Sequence, residues 1–307
     1  MKIVFATRPS KLARWQTNYV IGALQKTHPD LVCEEKVITT QGDTILDKPL
    51  PEIGGKGLFT QELETELLNG AVHSAVHSLK DLPVEDPVGL TIGCIPMRAE
   101  VRDALISAYG YTIAALPKGA SVGTSSLRRS AQILSLRPDL NIQSLRGNVD
   151  TRLRKAMDGQ YDAIILAGAG LTRLGLEDHV TEWLSLDAML PAPGQGALAV
   201  QCRVDDQTTL NLLAKLEDNS TRKAVTAERA FLQGLGGGCS VPVAANAKVE
   251  GETSKIITLT GLVISEDGKK VVKVHGDGTD AFQFGNELAQ RAIEQGANEI
   301  LKLVTVH

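Results

Sequence analysis

From residue 3 to residue 202 the chain switches repeatedly between two hydrophobic periods, and this alternation restricts its fold more than any other feature. Apolar runs of strand length occur at 3–7, 71–77, 90–95, 104–107, 121–123, 141–145, 162–166 and 197–202, with a further strand expected near 36–39. Between them, apolar residues recur three and four apart over 11–26, 59–68, 126–136, 149–157 and 169–174, the spacing that lines one face of a helix. Ser10 stands where a helix N-cap belongs. Strands and helices alternating in this way predict an α/β fold with a mostly parallel sheet. The order breaks at Pro191-Ala-Pro-Gly-Gln-Gly196. A helix at 221–235 then precedes three strands in succession, 241–249, 256–264 and 270–275, and helices at 281–295 and 298–304 close the chain. These strands are expected to pair antiparallel in a separate α+β domain. The polar, glycine-rich segment 41–57 is the longest stretch without a periodic pattern, and such loops are lids or disordered.

A chain of 307 residues exceeds one ordinary core, so two or three domains are expected. With 43% hydrophobic and 22% charged residues it suits a globular protein, and a net charge of −4 argues against nucleic-acid binding by counterion release. No apolar run approaches the roughly 18 residues of a membrane span. The first residues lead into a strand pattern rather than a signal peptide. Four cysteines without a Cys-x-x-Cys pair suit reduced thiols in a cytoplasmic protein. Cys33, Cys94 and Cys202 lie in or beside apolar runs and read as small buried hydrophobes. Cys239 differs, because it sits in Gly234-Leu-Gly-Gly-Gly-Cys-Ser-Val-Pro-Val243. Glycines let backbone approach another object closely, so something large can reach a thiol presented there. It has no histidine near it in sequence, which leaves cysteine-protease chemistry weakly supported.

Four strands lead into turns that carry arginine: Thr7-Arg8-Pro9-Ser10, Gly123-Thr124-Ser125-Ser126-Leu127-Arg128-Arg129, Leu145-Arg146-Gly147-Asn148 with Arg152 a turn later, and Ala167-Gly-Ala-Gly-Leu-Thr-Arg173. In open α/β sheets ligands bind at the carboxyl ends of the strands, where helix N-termini add unpaired N–H groups. Converging guanidinium forks imply a ligand with several carboxylates or phosphates; the other reading is a set of solvated ion pairs, which is the expectation for Arg137, Arg154 and Arg222. Lys80-Asp81 ends another strand, as a surface ion pair or as a carboxylate held by a lysine beside a cleft. His73 and His77 have a helical metal-pair spacing, but in a strand four residues span about 13 Å, too far for one ion. No metal is expected. Neither a phosphate loop nor a dinucleotide fingerprint is present.

Together these residues resemble the porphobilinogen deaminase family, also called hydroxymethylbilane synthases. The resemblance spans essentially the whole chain. It rests on Thr7-Arg8-Pro-Ser10, Gly54-Gly-Lys-Gly57, Val76-His-Ser78-Leu-Lys80-Asp81-Leu-Pro83, Gly123-Thr-Ser-Ser-Leu-Arg-Arg129, Ser144-Leu-Arg-Gly-Asn-Val149, Pro193-Gly-Gln195-Gly196 and Gly237-Gly-Cys239, in that order. It implies two α/β domains like those of periplasmic binding proteins, 1–96 with 197–216 and 97–196, and a C-terminal α+β domain, 217–307, with a three-stranded antiparallel sheet. It also implies a monomer that carries a dipyrromethane cofactor on Cys239 through a thioether. Four porphobilinogen units join that cofactor one at a time with loss of ammonia, and hydrolysis frees hydroxymethylbilane. Each pyrrole carries an acetate and a propionate, so the growing chain is a polyanion.

By the same resemblance the cofactor lies against Lys80, Asp81, Thr124, Ser125, Ser126, Arg128, Arg129, Arg146 and Gly147. The substrate meets Arg8, Ser10, Lys56, Ser78, Arg146, Arg152, Arg173 and Gln195. Asp81 is the catalytic residue, accepting hydrogen bonds from pyrrole N–H groups and stabilising the cationic azafulvene left by ammonia. That is the mirror image of an oxyanion hole. Lys56 would ride on a lid formed by 42–57. A non-enzymatic, two-lobed polyanion-binding or effector-sensing protein would share the strand-end arginines. It would not account for the glycine-flanked Cys239 or for Lys80-Asp81.

Overall fold

The computed structural model describes residues 1–44, 57–237, 241–250 and 255–304. Its strands are β1 (Lys2–Thr7), β2 (Val32–Val37), β3 (Ser74–Ser78), β4 (Leu90–Cys94), β5 (Asp103–Ile106), β6 (Ser121–Gly123) and β7 (Asn141–Gln143). They continue with β8 (Ala163–Ala167), β9 (Glu182–Trp183), β10 (Leu198–Arg203), β11 (Val243–Val249), β12 (Ile257–Ile264) and β13 (Val271–Gly278). The helices are α1 (Lys11–Thr27), the single turn α2 (Gln41–Thr44), α3 (Gln61–Leu68), α4 (Leu127–Leu136) and α5 (Val149–Met157). After them come α6 (Gly168–Leu174), α7 (Gln207–Leu213), α8 (Asn219–Gly234), α9 (Ala281–Glu294) and α10 (Ala297–Val304). No helix among the described residues is long and apolar enough to cross a membrane.

Two compact units result, Met1–Arg98 with Ala197–Arg222, and Ala99–Gly196 with Lys223–His307. In the first, the sheet order is β2-β1-β3-β10-β4. All strands but β10 run the same way, since β10 is antiparallel to both β3 and β4. The second unit holds a sheet of order β7-β6-β8-β5-β9, in which β5 alone is reversed. Each five-stranded sheet is therefore mostly parallel with one reversed strand next to an edge.

Period-two burial explains these sheets. Ile3 and Phe5 pack with Val20, Leu24 and Leu213 on one face of the first sheet, while Ala6 and Ala75 pack with Leu63 and Leu67 on the other. In the second unit Leu105, Val122 and Ile165 meet Ile133 of α4 on one side. Ala104, Ile106, Ile164 and Leu166 meet Leu153 and Leu171 on the other. Strands covered on both faces read as continuous apolar runs. The antiparallel sheet β11-β12-β13 packs Leu259, Val263 and Val274 against Phe231 of α8 and Phe284 and Leu288 of α9. Within the same unit, Leu262 and Ile264 of that sheet meet Ala131 of α4 and Leu190.

Ser10 caps α1, its hydroxyl accepting from Ala13 N at 3.2 Å. The strand expected at 36–39 lies earlier, at Val32–Val37, as an edge strand that among the described residues is bonded only to β1. Its alternation is hidden by Glu34, Glu35 and Lys36, the charges that keep an edge from pairing further. Helix α7 was not anticipated, although Asp206 caps it through Thr209 N at 3.0 Å. Segment 41–57 begins as the helical turn α2; residues 45–56, including Lys56, lie outside the described residues, as does Cys239.

Candidate active site

The parallel pairing of β1 with β3 brings the turns after both strands to one edge of the first sheet. Arg8 follows β1, and its Nε and Nη2 donate to Asp43 at 3.1 and 2.5 Å. Burial alone would raise the Asp43 carboxyl, but hydrogen bonds and charge from Arg8 and Thr40 outweigh it and hold the group below the usual carboxylate range. The Phe59 ring lies 4.3 Å from the Arg8 guanidinium carbon. Ser78 ends β3 and accepts from Gln16 Nε2 at 2.9 Å. Lys80 and Asp81 sit on a 3-10 turn whose Leu79 is fully buried, with Leu82 buried just after it. Leu79 N also donates to Ala197 O. Two apolar pegs thus anchor the turn and leave Asp81 exposed.

His77 is buried on β3, and burial pushes its imidazole down to about 4, so it is neutral near pH 7. The other histidine of the pair, His73, accepts from Val4 N through Nδ1. Cys94 and Cys202 are fully buried; burial raises both thiols, Cys202 to about 11. Cys33 is partly buried.

In the second unit, β7, β6 and β8 are parallel neighbours, so the segments that follow them, the turn with Arg146, the start of α4 with Arg128 and helix α6 with Arg173, all leave from one sheet edge. The reversal of β5 carries its first residue, Asp103, to that same edge, opposite Ala167. Arg128 Nη1 donates to Asp103 Oδ2 at 2.8 Å, and Arg129 Nη2 and Nε donate to Oδ1 at 2.7 and 3.1 Å. Arg128 Nη1 also reaches Leu190 O, and Arg129 Nη1 reaches Ile165 O. Arg128 and Arg129 are 4% and 6% exposed and Asp103 is 0% exposed. Desolvation opposes the charge on Asp103, but the adjacent guanidiniums dominate and hold its carboxyl well below the usual range. Two cations sharing one anion leave a net positive charge in this cluster.

This differs from the expectation of forks open to a ligand. Gln195 differs too, being fully buried with its amide donating to Val101 O and Asp103 Oδ1. Arg173 donates to Gly196 O at 2.7 Å. Ser125 Oγ donates to Leu145 O and accepts from Leu145 N, tying the turns after β6 and β7 together. Thr124 Oγ accepts from Ser126 N, and Ser126 occupies the N-cap of α4 without a side-chain cap bond. Arg146 is the contrast. Its Nη1 is buried and has no hydrogen-bond partner among the described residues. Gly147 has φ +113°, and a Cβ there would stand 2.9 Å from Thr151, so this turn needs glycine. Its carbonyl accepts from Arg152 Nε at 2.7 Å. Of the arginines expected on the surface, Arg154 is exposed, whereas Arg137 binds Asp139 and also the carbonyls of Ile113, Ala114 and Leu116.

The approach to Cys239 is described up to Gly237. Helix α8 ends in a Schellman motif, with Gly237 N bonded to Leu232 O, Gly236 N bonded to Gln233 O, and Gly236 at φ +67°. A Cβ on Gly237 would stand 2.8 Å from Leu232 and 2.9 Å from Val241. Before the thiol, then, these glycines end a helix and permit close packing, tasks not foreseen in the sequence. Asp43, Phe59 and Asp103 were also not singled out there. Asp103 is a lone acid opening an apolar strand, which is a usable signal, but its partners lie about 25 residues away.

Two family models match in chain order: "Porphobilinogen deaminase, dipyromethane cofactor binding domain" over residues 3–211 and "Porphobilinogen deaminase, C-terminal domain" over 222–294. The chain belongs to the porphobilinogen deaminase family. The porphobilinogen deaminase of Brevibacillus brevis is 52% identical over 295 residues, covering 96% of this chain and 95% of that one. The porphobilinogen deaminase of a Roseiflexus species is 50% identical over 300 residues, covering 97% and 98%. Among solved structures, a sulfate-bound OxyR2 regulatory-domain mutant from Vibrio vulnificus has TM-score 0.41 at 13% identity over 70% of this chain and 96% of that one. So distant a likeness has no bearing on the site. Porphobilinogen deaminase membership does.

Proposed function

We propose that this chain is a porphobilinogen deaminase. It condenses four porphobilinogen molecules head to tail onto an enzyme-bound dipyrromethane, releases ammonia at each step, and hydrolyses the product to hydroxymethylbilane for tetrapyrrole biosynthesis. What carries the reading is identity of 50–52% with porphobilinogen deaminases over 96–97% of the chain. A non-enzymatic polyanion binder is not favoured, because both family domains match in order.

The residues of the second unit fit a group bearing several carboxylates. The buried, unpartnered Nη1 of Arg146 is a donor awaiting an acceptor, and Arg128 and Arg129 share a single carboxylate. On this reading Cys239 bears the dipyrromethane as a thioether. When bound, the dipyrromethane supplies the free pyrrole α-carbon to which units are added. Arg146, with Lys80, Gly147, Ser126 and Thr124, holds cofactor carboxylates. Arg128 and Arg129 contribute mainly through the positive field of their cluster, and Gln195 supports that cluster from within. Arg8, Arg152 and Arg173 serve substrate carboxylates, with Ser10, Lys56 and Ser78 as further substrate contacts. Asp81, exposed on its anchored turn, accepts pyrrole N–H bonds and stabilises cationic charge as ammonia leaves.

The same reading keeps three domains, 1–96 with 197–216, 97–196 and 217–307; each of the three sheets falls within one of these spans. It also takes the protein as a cytoplasmic monomer without a metal. Intact-mass measurement of the purified protein tests the core of it. The mass should exceed the sequence mass by one dipyrromethane, Ehrlich's reagent should colour the protein, and Cys239→Ser should lose both signals. A protein at the bare sequence mass that turns over no porphobilinogen would overturn the reading.

A further inference from the structure

Within the first unit, the surroundings of Arg8 form a small built structure. Asp43 Oδ2 accepts from Arg8 Nε, from Thr40 N at 3.1 Å and from Thr40 Oγ1 at 2.8 Å, while Oδ1 accepts from Arg8 Nη2. The Asp43 side chain is 9% exposed. Phe59 lies against the guanidinium, and a Cβ on Gly42 would stand 2.0 Å from the Phe59 ring, so only glycine lets that ring lie there. Gly42 N in turn donates to Leu58 O at 3.0 Å, joining the two segments that supply Asp43 and Phe59.

A guanidinium offers five N–H donors in a rigid fork. Asp43 occupies the Nε–Nη2 edge, and Nη1 has no hydrogen-bond partner among the described residues. The Nη1–Nη2 edge can therefore grip a second carboxylate in bidentate fashion. Asp43 is tied to Thr40 by two bonds of its own, which makes it part of the scaffold and not a loose counter-ion waiting to be displaced. Its charge also offsets that of Arg8, so a ligand carboxylate is recognised here by donor geometry more than by surplus charge.

We propose that Asp43, held by Thr40 and aided by Gly42 and Phe59, is a positioning residue that fixes the Arg8 guanidinium to receive a carboxylate of incoming porphobilinogen. The proposal rests on the enzymatic reading above. Its test is steady-state kinetics on cofactor-loaded protein, with wild type, Asp43→Asn and Thr40→Val compared. Asp43→Asn should raise KM about tenfold, the scale of one charge-assisted hydrogen bond, while kcat falls far less. Thr40→Val removes one tether and keeps both charges, so KM should move the same way by a smaller factor. A general loss of fold would depress kcat and cofactor loading instead, and if Asp43→Asn does not fold, Thr40→Val decides. A lower KM in Asp43→Asn would mean that Asp43 competes with substrate for Arg8, and an unchanged KM in both variants would mean that Arg8 needs no support. Either result overturns the proposal. A wild-type protein that does not turn over porphobilinogen would sink the enzymatic reading first, and the proposal with it.

Discussion

Asp103→Asn removes one charge from the base of the arginine cluster while keeping the side chain's size. Asp103 accepts from Arg128, Arg129 and Gln195, and all four residues are at most 6% exposed. Removing one partner of a buried ion pair costs roughly 3–5 kcal/mol, because the other charge stays buried without compensation. Asparagine keeps one acceptor oxygen for part of the Arg129 fork, which places the expected loss at the lower end, about 3 kcal/mol. For a body of about 150–250 residues each kcal/mol moves the melting midpoint by about 2–4 °C, so a fall of about 6–12 °C is expected. Of the two tryptophans, Trp183 belongs to the second unit. In a Trp15→Phe background its fluorescence follows that unit's melting alone. The pH dependence gives a second check. The folded-state carboxyl is held well below its ordinary value, so its contribution is complete above the unfolded-state value of about 3.9 and is lost as pH falls below it. The difference in stability between wild type and variant should therefore hold constant above about pH 4 and narrow progressively as pH falls below it. A midpoint unchanged at pH 7 would refute the assignment of Asp103 as the counter-charge of both arginines.

Two further outcomes can be checked with the same protein. Asp81→Asn should retain the covalent adduct by intact mass yet lose turnover by at least about a hundredfold, the scale of one lost transition-state contact; full turnover would remove Asp81 from its role. Gly236→Ala has open space around the new Cβ, so its penalty is that of a left-handed backbone alone, about 1–2 kcal/mol, and an unaltered Trp183 melt would show that the Schellman end of α8 does not hold this conformation.

Period-two and helical patterns located most elements because strands buried on both faces, such as Asp103–Ile106 and Ala163–Ala167, leave little room for any other reading. Patterns weakened where burial is one-sided. Val32–Val37 is an edge strand rich in charge, and Glu182–Trp183 is a two-residue strand that exists only through its pairing with β5. The arginine turns were legible as a set, since parallel strands deliver their following turns to one edge. What each arginine meets there was not. Arg128 and Arg129 find Asp103 because β5 runs backwards, and Arg8 finds Asp43 in a segment with no periodic pattern at all. Strand direction and loop geometry are tertiary facts, and residue spacing alone does not encode them. The glycines before Cys239 showed a complementary gap: their number stood out, but their separate tasks at the end of α8 depend on local dihedrals.

The position of β10 has a consequence for how the chain is made. It lies between β3 and β4, yet it follows the whole of the second five-stranded sheet in sequence. At roughly 5–20 residues per second of synthesis, on the order of ten seconds separate the emergence of β4 from that of β10. Throughout that interval β3 and β4 each have an unbonded flank that only β10 fills, and unpaired strand edges invite pairing with other chains. The first sheet begun on the ribosome thus closes only after every strand of the second five-stranded sheet has been made. Protection by a chaperone would be needed most at this stage, and a nascent chain halted near residue 98 should be a sticky species with β4 detached, whatever the stability of the finished protein.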